Sequence, residues 1–143
     1  MTMALPESFS LRRWAFVMAV AGLIVAASSR GAVAGPQIDH FDKVVHFSVY
    51  GLLGTLAVRA VGRSRWVLAV LVVSLFGASD EWHQSFVPGR SMEFADWVAD
   101  TLGAAVAAFG YARWSRYREG LERPVGFARK PDNLADATVS LHG

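Results

Sequence analysis

The sequence predicts an all-α, polytopic membrane protein with four transmembrane helices and both termini in the cytoplasm. Three observations lead to this fold class. Hydrophobic residues make up 53% of the 143-residue chain and charged residues only 18%, so the chain is more apolar than an average soluble domain. The charged residues lie between or beyond four nearly uncharged stretches. Lysine and arginine are unequally divided between the two sets of connections.

Each of the four uncharged stretches is a predicted helix. They are residues 14–29, 44–58, 66–79 and 97–112. Asp100 is the one charged residue within them. A helix needs about 20 residues to cross roughly 30 Å of hydrocarbon, and the stretches reach this length with their amphipathic ends. A soluble bundle would show polar faces at a 3.6-residue period, but residues 16–27 and 68–75 are apolar almost all round. We therefore favour four membrane spans.

Basic residues indicate the orientation, because cytoplasmic loops of membrane proteins are enriched in lysine and arginine. Two arginines precede the first predicted helix, three lie between the second and the third, and six basic residues follow the fourth. Of the 14 basic residues, the other side holds only Arg30, Lys43 and Arg90. We therefore expect a multi-pass membrane protein with both termini in the cytoplasm.

The two ends of the chain are interpreted separately. Arg12 and Arg13, with the apolar run before Ala32-Val33-Ala34, also fit a secretory signal that is cleaved at an A-x-A site. Retention and cleavage both deliver the segment after Gly35 to the outer face. Residues 1–119 are predicted to form a four-helix membrane domain. Residues 120–143 have no hydrophobic period and are predicted to be a disordered cytoplasmic tail.

Polar residues form one stripe on each of three predicted helices, all on the outer side of the membrane. Residues three, four or seven positions apart share a helix face. The stripes are Lys43, His46 and Tyr50 on the second helix, Asp80, Glu81 and Gln84 on the third, and Glu93, Asp96 and Asp100 on the fourth. Charges within a membrane are costly, so we expect these groups to face the interior and to pair with Lys43, His46 or Arg90.

The stripes predict a ligand-binding site on the outer side. Its candidate residues are Lys43, His46, Tyr50, Asp80, Glu81, Gln84, Arg90, Asp96 and Asp100. Structural roles compete with this interpretation. Acids at the start of the fourth helix also stabilise its dipole, and Lys43 also suits a position where its ammonium group reaches the membrane surface. The small residues Gly51, Gly54 and Gly103 are better explained by helix packing than by a ligand.

Three linked motifs resemble those of a known family. They are Asp42-Lys43-x-x-His46-Phe47-x-x-Tyr50-x-x-Leu53, Asp80-Glu81-x-x-Gln84-x-Phe86-x-Pro88-Gly89-Arg90 and Asp96-x-x-x-Asp100-x-x-Gly103. In this order they resemble the VanZ-like family over about residues 42–110. The resemblance implies a small bacterial integral membrane protein, and the family's named member lowers susceptibility to the glycopeptide teicoplanin. The family commonly has asparagine at the position of Asp100.

Two functions from different classes remain open. In the first, the outer site binds a cell-envelope ligand, a lipid-linked cell-wall precursor or a lipoglycopeptide, and lowers teicoplanin susceptibility. In the second, the protein is an intramembrane enzyme acting on a lipid head group, with Glu81 as base and His46 as acid, while Arg90 and Lys43 hold phosphate. The chain has no G-x-S-x-G, H-E-x-x-H or phosphate-binding loop that would favour an enzyme.

The remaining expectations concern cofactors and partners. Without cysteine, the chain can form no disulfide, thiolate metal site or cysteine nucleophile. We assign no cofactor and no metal site, although the carboxylates and His46 have donor atoms that suit a divalent cation. The expected partners are the lipid bilayer and the envelope ligand, with no nucleic acid. Ion transport ranks last, because the second to fourth helices are apolar below Tyr50 and Asp100.

Overall fold

The computed structural model describes residues 11–31 and 41–122, and both ranges are helical apart from their connections. The helices are α1 (Leu11–Ser28), α2 (Phe41–Val61), α3 (Trp66–Gln84), α4 (Phe94–Arg113) and α5 (Ser115–Glu122). A 3₁₀ turn at Arg63–Arg65 joins α2 to α3. Neither described range contains a strand. The all-α class predicted from the sequence is confirmed.

Helices α3 and α4 extend beyond their uncharged stretches and so contain the predicted carboxylates. Helix α3 continues past Ser79 to Gln84, which places Asp80 and Glu81 near its end. Helix α4 begins at Phe94, with Asp96 in its first turn. The chain between them turns at Gly89, whose φ of 78° is the left-handed conformation that glycine adopts without steric cost. The carboxylates of α3 and α4 thus meet at the same end of the bundle.

The closest helix contact joins α2 to α4, and small residues permit it. A β-carbon on Gly103 would lie 2.1 Å from the carbonyl oxygen of Phe47. A β-carbon on Gly54 would lie 2.8 Å from the α-carbon of Ala104. Backbones that approach this closely leave no room for a side chain, as is common where membrane helices pack. The packing interpretation of these glycines agrees with the structure.

The four long helices bury polar residues and expose apolar ones. Seven polar or charged residues are buried: Ser28, Thr55, Asp80, Glu81, Gln84, Asp96 and Asp100. Large apolar side chains are exposed on every long helix, and they include Leu23, Leu52, Leu71, Leu75, Leu102, Val106 and Phe109. The interior also contains an apolar core, but this amount of exposed apolar surface differs from that of a protein folded in water, where exposed apolar patches are small.

Two helices, α1 and α2, are long and apolar enough to cross a membrane. Helices α3 and α4 have 19 and 20 residues, but each includes two carboxylates that lower its mean hydropathy. Those four carboxylates are buried between helices. A hydropathy average counts a charge in the same way whether it faces lipid or the bundle interior, so it understates how apolar the outer surfaces of α3 and α4 are.

Helix α5 was not expected from the sequence. It is short and polar and buries none of its residues, so no apolar run marks it. Its end is held to α4 by the hydroxyl of Tyr111, which donates to Glu122, and by Arg118, whose Nη1 donates to the Tyr111 carbonyl at 3.1 Å. The predicted cleavage segment at 32–35 and the predicted disordered residues 123–143 lie outside the described residues.

Candidate functional site

Asp80 lies at the centre of a buried hydrogen-bond network near the end of α3. Its Oδ2 accepts hydrogen bonds from three donors on three helices: Ser28 Oγ at 2.8 Å, Tyr50 Oη at 3.2 Å and Gln84 Nε2 at 3.2 Å. Its Oδ1 is buried and has no hydrogen-bond partner among the described residues. Since an unsatisfied buried acceptor is costly, this oxygen is available to a ligand.

Glu81, the next residue, connects the end of α3 to the start of α4. Its Oε2 accepts a hydrogen bond from the backbone N–H of Glu93 at 2.9 Å, and its Oε1 lies 3.4 Å from Gln84 Nε2, which donates to it. The N–H of Glu93 belongs to the residue that caps α4, where backbone donors have no partner within the helix. Glu81 therefore links the end of α3 to the start of α4 and so fixes the two ends of the loop that contains Arg90.

His46 and Asp100 form a pair between α2 and α4. His46 Nδ1 lies 2.9 Å from Asp100 Oδ1, and the imidazole ring stacks on Tyr50 with the ring centres 6.3 Å apart. Asp100 is completely buried, and its Oδ2 has no hydrogen-bond partner among the described residues. The carboxylate holds the imidazole ring in one orientation, as paired carboxylates commonly do for functional histidines.

Lys43 holds a second acidic group at the rim of the bundle. Its Nζ donates to Asp96 at 2.8 Å, to Asp42 at 3.0 Å and to Glu93 at 3.2 Å. Three carboxylates surround one ammonium group, so its three N–H donors are all in use. Lys43 is therefore not free to bind a phosphate, which the enzyme hypothesis required of it.

Arg90 lies over the cluster without forming an ion pair with it. Its Nη1 donates to Gln84 Oε1 at 3.3 Å, and its Nε donates to the carbonyl oxygen of Arg30 at 3.2 Å. Gln84 also donates hydrogen bonds from its Nε2 to Asp80 and Glu81, so it connects Arg90 to both carboxylates. The turn at Gly89 brings Arg90 back over the end of α3, and the side chain remains exposed.

The buried acids are not balanced by basic side chains. Asp80, Glu81 and Asp100 are 3%, 1% and 0% exposed. Within residues 11–31 and 41–122, no lysine or arginine forms an ion pair with any of them. His46 is the one basic side chain in contact with this group, through Asp100. Buried carboxylates without a counter-charge are costly, so the group has the electrostatic character of a cation or ligand site.

A cavity of about 170 Å³ lies beside this cluster, between α1, α2 and α3. One part of its wall is apolar and comes from α1 and α2: Ile24, Ala27, Val45 and Val49. The other part is polar and consists of Ser28, His46, Tyr50, Asp80, Gln84 and Arg90. The change from apolar to polar wall suits a ligand with an alkyl portion and a hydrogen-bonding head.

The nine residues predicted from the sequence all lie at this end of the bundle, in two groups. Asp80, Glu81, Gln84, Tyr50, His46, Asp100 and Arg90 form the interior group, while Lys43 and Asp96 form the rim group with Asp42 and Glu93. Sequence reasoning missed Ser28 on α1, which donates to Asp80. Its signal in the sequence was a hydroxyl residue at the C-terminal end of the first uncharged stretch, which the pattern of three polar stripes did not include.

Comparison with known proteins tests the resemblance stated above. A family model described as VanZ/LLP1 matches residues 5–115, which include α1 to α4 and all nine predicted site residues. No curated protein and no solved structure matches the chain. The match extends over more than half of the sequence, and the chain therefore belongs to the VanZ/LLP1 family.

Proposed function

We propose that this protein spans the bacterial cytoplasmic membrane four times, with both termini inside, and that its cavity on the outer side binds a cell-envelope ligand. The ligand is the head of a lipid-linked cell-wall precursor or of a lipoglycopeptide such as teicoplanin. Binding would change the access of the glycopeptide to its target and so lower susceptibility to it. No reaction is needed for this effect.

The lengths and surfaces of α3 and α4 support four spans. At 1.5 Å per residue, 19 and 20 residues extend for about 28 and 30 Å, the thickness of the hydrocarbon region. Their carboxylates are buried against other helices, while Leu71, Leu75, Leu102 and Val106 are exposed. Helices of this kind satisfy the requirement that charged groups in a membrane face the protein interior.

The cavity is the observation that carries the proposed binding function. Asp80 is on its polar wall with Ser28 and Tyr50, whose hydroxyl groups donate to Oδ2, and its Oδ1 has no hydrogen-bond partner among the described residues. Drug-sized ligands occupy roughly 300–1,000 Å³, so a cavity of about 170 Å³ holds only part of a large ligand. A single sugar, an amino group or the end of an acyl chain fits this limit better than a whole glycopeptide.

The charges on the cavity wall limit which chemical groups the head of the ligand can contain. Asp80 favours a donor of hydrogen bonds, and Arg90 is the one permanently charged basic residue on the wall. We therefore expect hydroxyl, amide or ammonium groups to bind next to Asp80. An anionic group would need to lie near Arg90, at the exposed side of the cavity.

One observation favours an enzyme as the second candidate, with different roles from those predicted. His46 lines the cavity and is oriented by Asp100, as a histidine that transfers protons requires. Glu81 does not line the cavity, and both of its oxygens already accept hydrogen bonds. In an enzyme, His46 would therefore act on the ligand, and Glu81 would hold the connection between α3 and α4.

Blocking the cavity from α1 tests the binding function. Ala27 lines the cavity and is exposed, so Ala27→Phe adds a ring at the cavity entrance without disturbing the core. Ala26 is also exposed but does not line the cavity, so Ala26→Phe is the matched control. Each variant is expressed in a glycopeptide-susceptible bacterium, and its membrane abundance and the inhibitory concentration of teicoplanin are measured.

The same variants are purified in detergent and titrated with teicoplanin, with thermophoresis as the readout. We expect Ala27→Phe to lose the protection and at least about tenfold in affinity, since a filled cavity cannot accept the ligand. The control should behave like the wild type. Equal protection by both variants at equal abundance would show that the cavity is not where the ligand binds.

A further inference from the structure

Three ligand-type side chains from three helices converge below the end of α3. They are His46 on α2, Glu81 on α3 and Asp100 on α4, and a donor atom of each lies within 4.8 Å of the others. We propose that they bind one divalent transition-metal cation, Mn²⁺, Fe²⁺ or Zn²⁺. His46 also lines the cavity, but Glu81 and Asp100 lie outside its wall, so the metal site does not require a bound envelope ligand.

The distances suit such an ion. His46 Nδ1 and Asp100 Oδ1 are 2.9 Å apart. Two adjacent ligands of an octahedral ion with bonds of about 2.1 Å are about 3.0 Å apart, and two opposite ligands are about 4.2 Å apart. A cation can thus replace the proton between His46 and Asp100 with little movement of these two residues. The Glu81 oxygen, which lies within 4.8 Å of both, needs to approach by no more than about 2 Å to complete the site.

The donor types agree with this class of metal. Imidazole nitrogen is a common ligand of iron and zinc, and carboxylate oxygen is a common ligand of manganese, so one imidazole and two carboxylates suit this class of ion. Calcium, by comparison, takes six to eight oxygen ligands, more than these three residues offer.

An unpartnered oxygen gives an independent indication. Asp100 is completely buried, and its Oδ2 has no hydrogen-bond partner among the described residues. A buried carboxylate oxygen without a partner is costly in a protein interior. A metal ion bound through both oxygens of this carboxylate would give Oδ2 a partner and would also balance the charge of the neighbouring Glu81.

The rim group supplies an internal comparison. Asp42, Glu93 and Asp96 form the other set of donor atoms that converge closely enough for a metal, and Lys43 Nζ already lies among them. His46, Glu81 and Asp100 are also three converging side chains, but no lysine or arginine of the described residues pairs with them. The rim acids thus already surround a cationic side chain, whereas the three proposed ligands leave room for a cation from outside.

The test is metal binding to the purified full-length protein in detergent. The protein is stripped with a chelator and titrated with Mn²⁺, and the free ion is counted from its electron paramagnetic resonance signal. We expect about one tight site per chain, competition by Zn²⁺, and a nitrogen hyperfine coupling from the His46 imidazole on the bound ion. The last measurement needs no variant and so does not depend on how well a variant folds.

Isosteric variants locate the site. Asp100→Asn and Glu81→Gln should each weaken Mn²⁺ binding by at least about tenfold, since each removes one anionic ligand. Asp42→Asn removes an exposed carboxylate of the rim group and should leave the affinity unchanged. Absence of binding at millimolar Mn²⁺ in folded wild-type protein, or loss of binding only in Asp42→Asn, would overturn the proposal. Cavity blocking by Ala27→Phe leaves the three ligands intact, so the two proposals can fail separately.

Discussion

Replacing Gly103 by alanine should separate the two helices that carry the site. The new β-carbon would lie 2.1 Å from the carbonyl oxygen of Phe47 and 2.9 Å from its α-carbon. Both contacts are with backbone, which cannot rotate away as a side chain can. Because contacts below 3.0 Å essentially never occur for a β-carbon, α4 must move away from α2.

The size of the effect follows from the distances. Raising 2.1 Å to an acceptable contact requires a displacement of about 1 Å, and overpacking of this kind typically costs about 1–3 kcal/mol. His46 precedes Phe47 on α2, and Asp100 lies one turn before Gly103 on α4. Their 2.9 Å contact would open to roughly 4 Å, beyond hydrogen-bond distance. A displacement of about 1 Å is also enough to weaken a positioned site by up to about 10²-fold.

Unfolding in detergent, followed by circular dichroism, measures the loss of stability, and the Mn²⁺ titration measures the loss of the site. Gly22→Ala is the control, because a β-carbon there would meet nothing within 4 Å. It should be neutral or stabilising by up to about 1 kcal/mol, since alanine is the better helix former. If Gly103→Ala unfolds at the same midpoint as this control, the close contact between α2 and α4 does not exist in the protein.

Three further predictions concern topology, Glu81 and Lys43. A reporter fused after Gly143 should be cytoplasmic and one inserted near Val87 exported, and an exported C-terminal reporter would contradict the four-span arrangement. Glu81→Gln should reduce teicoplanin protection only partly at unchanged membrane abundance, because Glu81 lies outside the cavity wall and the amide oxygen still accepts the hydrogen bond from the Glu93 N–H. Complete loss at unchanged abundance would instead favour a catalysed reaction, and reduced abundance would indicate a structural role. Lys43→Met should destabilise the protein by about 1.5–3 kcal/mol in detergent unfolding, because Asp96 is buried and loses its counter-charge. Adding Asp96→Asn should restore part of that stability, and strictly additive losses would show that the two do not interact.

The helical class and the location of the site were predictable because both depend on local spacing. Residues 43, 46 and 50 share one face of any α-helix, as do residues 93, 96 and 100, whatever the helix packs against. Burying such stripes brings them together, and the structure places all nine predicted site residues at one end of the bundle, although Arg90 is exposed and Lys43 is half-buried. Helix α5 could not be predicted in this way, because it buries none of its residues and depends on contacts with Tyr111.

The pairing within the site could not be read from spacing. The sequence offered Lys43, His46 and Arg90 as partners for the acids, but the distances between helices decide which acid each one meets. In the structure, Lys43 pairs with Asp96 and His46 pairs with Asp100. Arg90 instead donates a hydrogen bond to the amide oxygen of Gln84. The hydroxyl of Ser28 was missed for the same reason, since it reaches Asp80 across 52 residues of sequence.

Because α1 contributes to the cavity, retention and cleavage of the N-terminal helix would have different consequences for the ligand. Ile24, Ala27 and Ser28 form one side of the cavity, and Ser28 donates to Asp80. A peptidase cutting near residue 34 would release this wall together with a donor to Asp80, and the enclosed space would become a groove open to lipid. Processing of the N-terminal helix would then select between two classes of ligand, small polar heads before the cut and whole lipid chains after it.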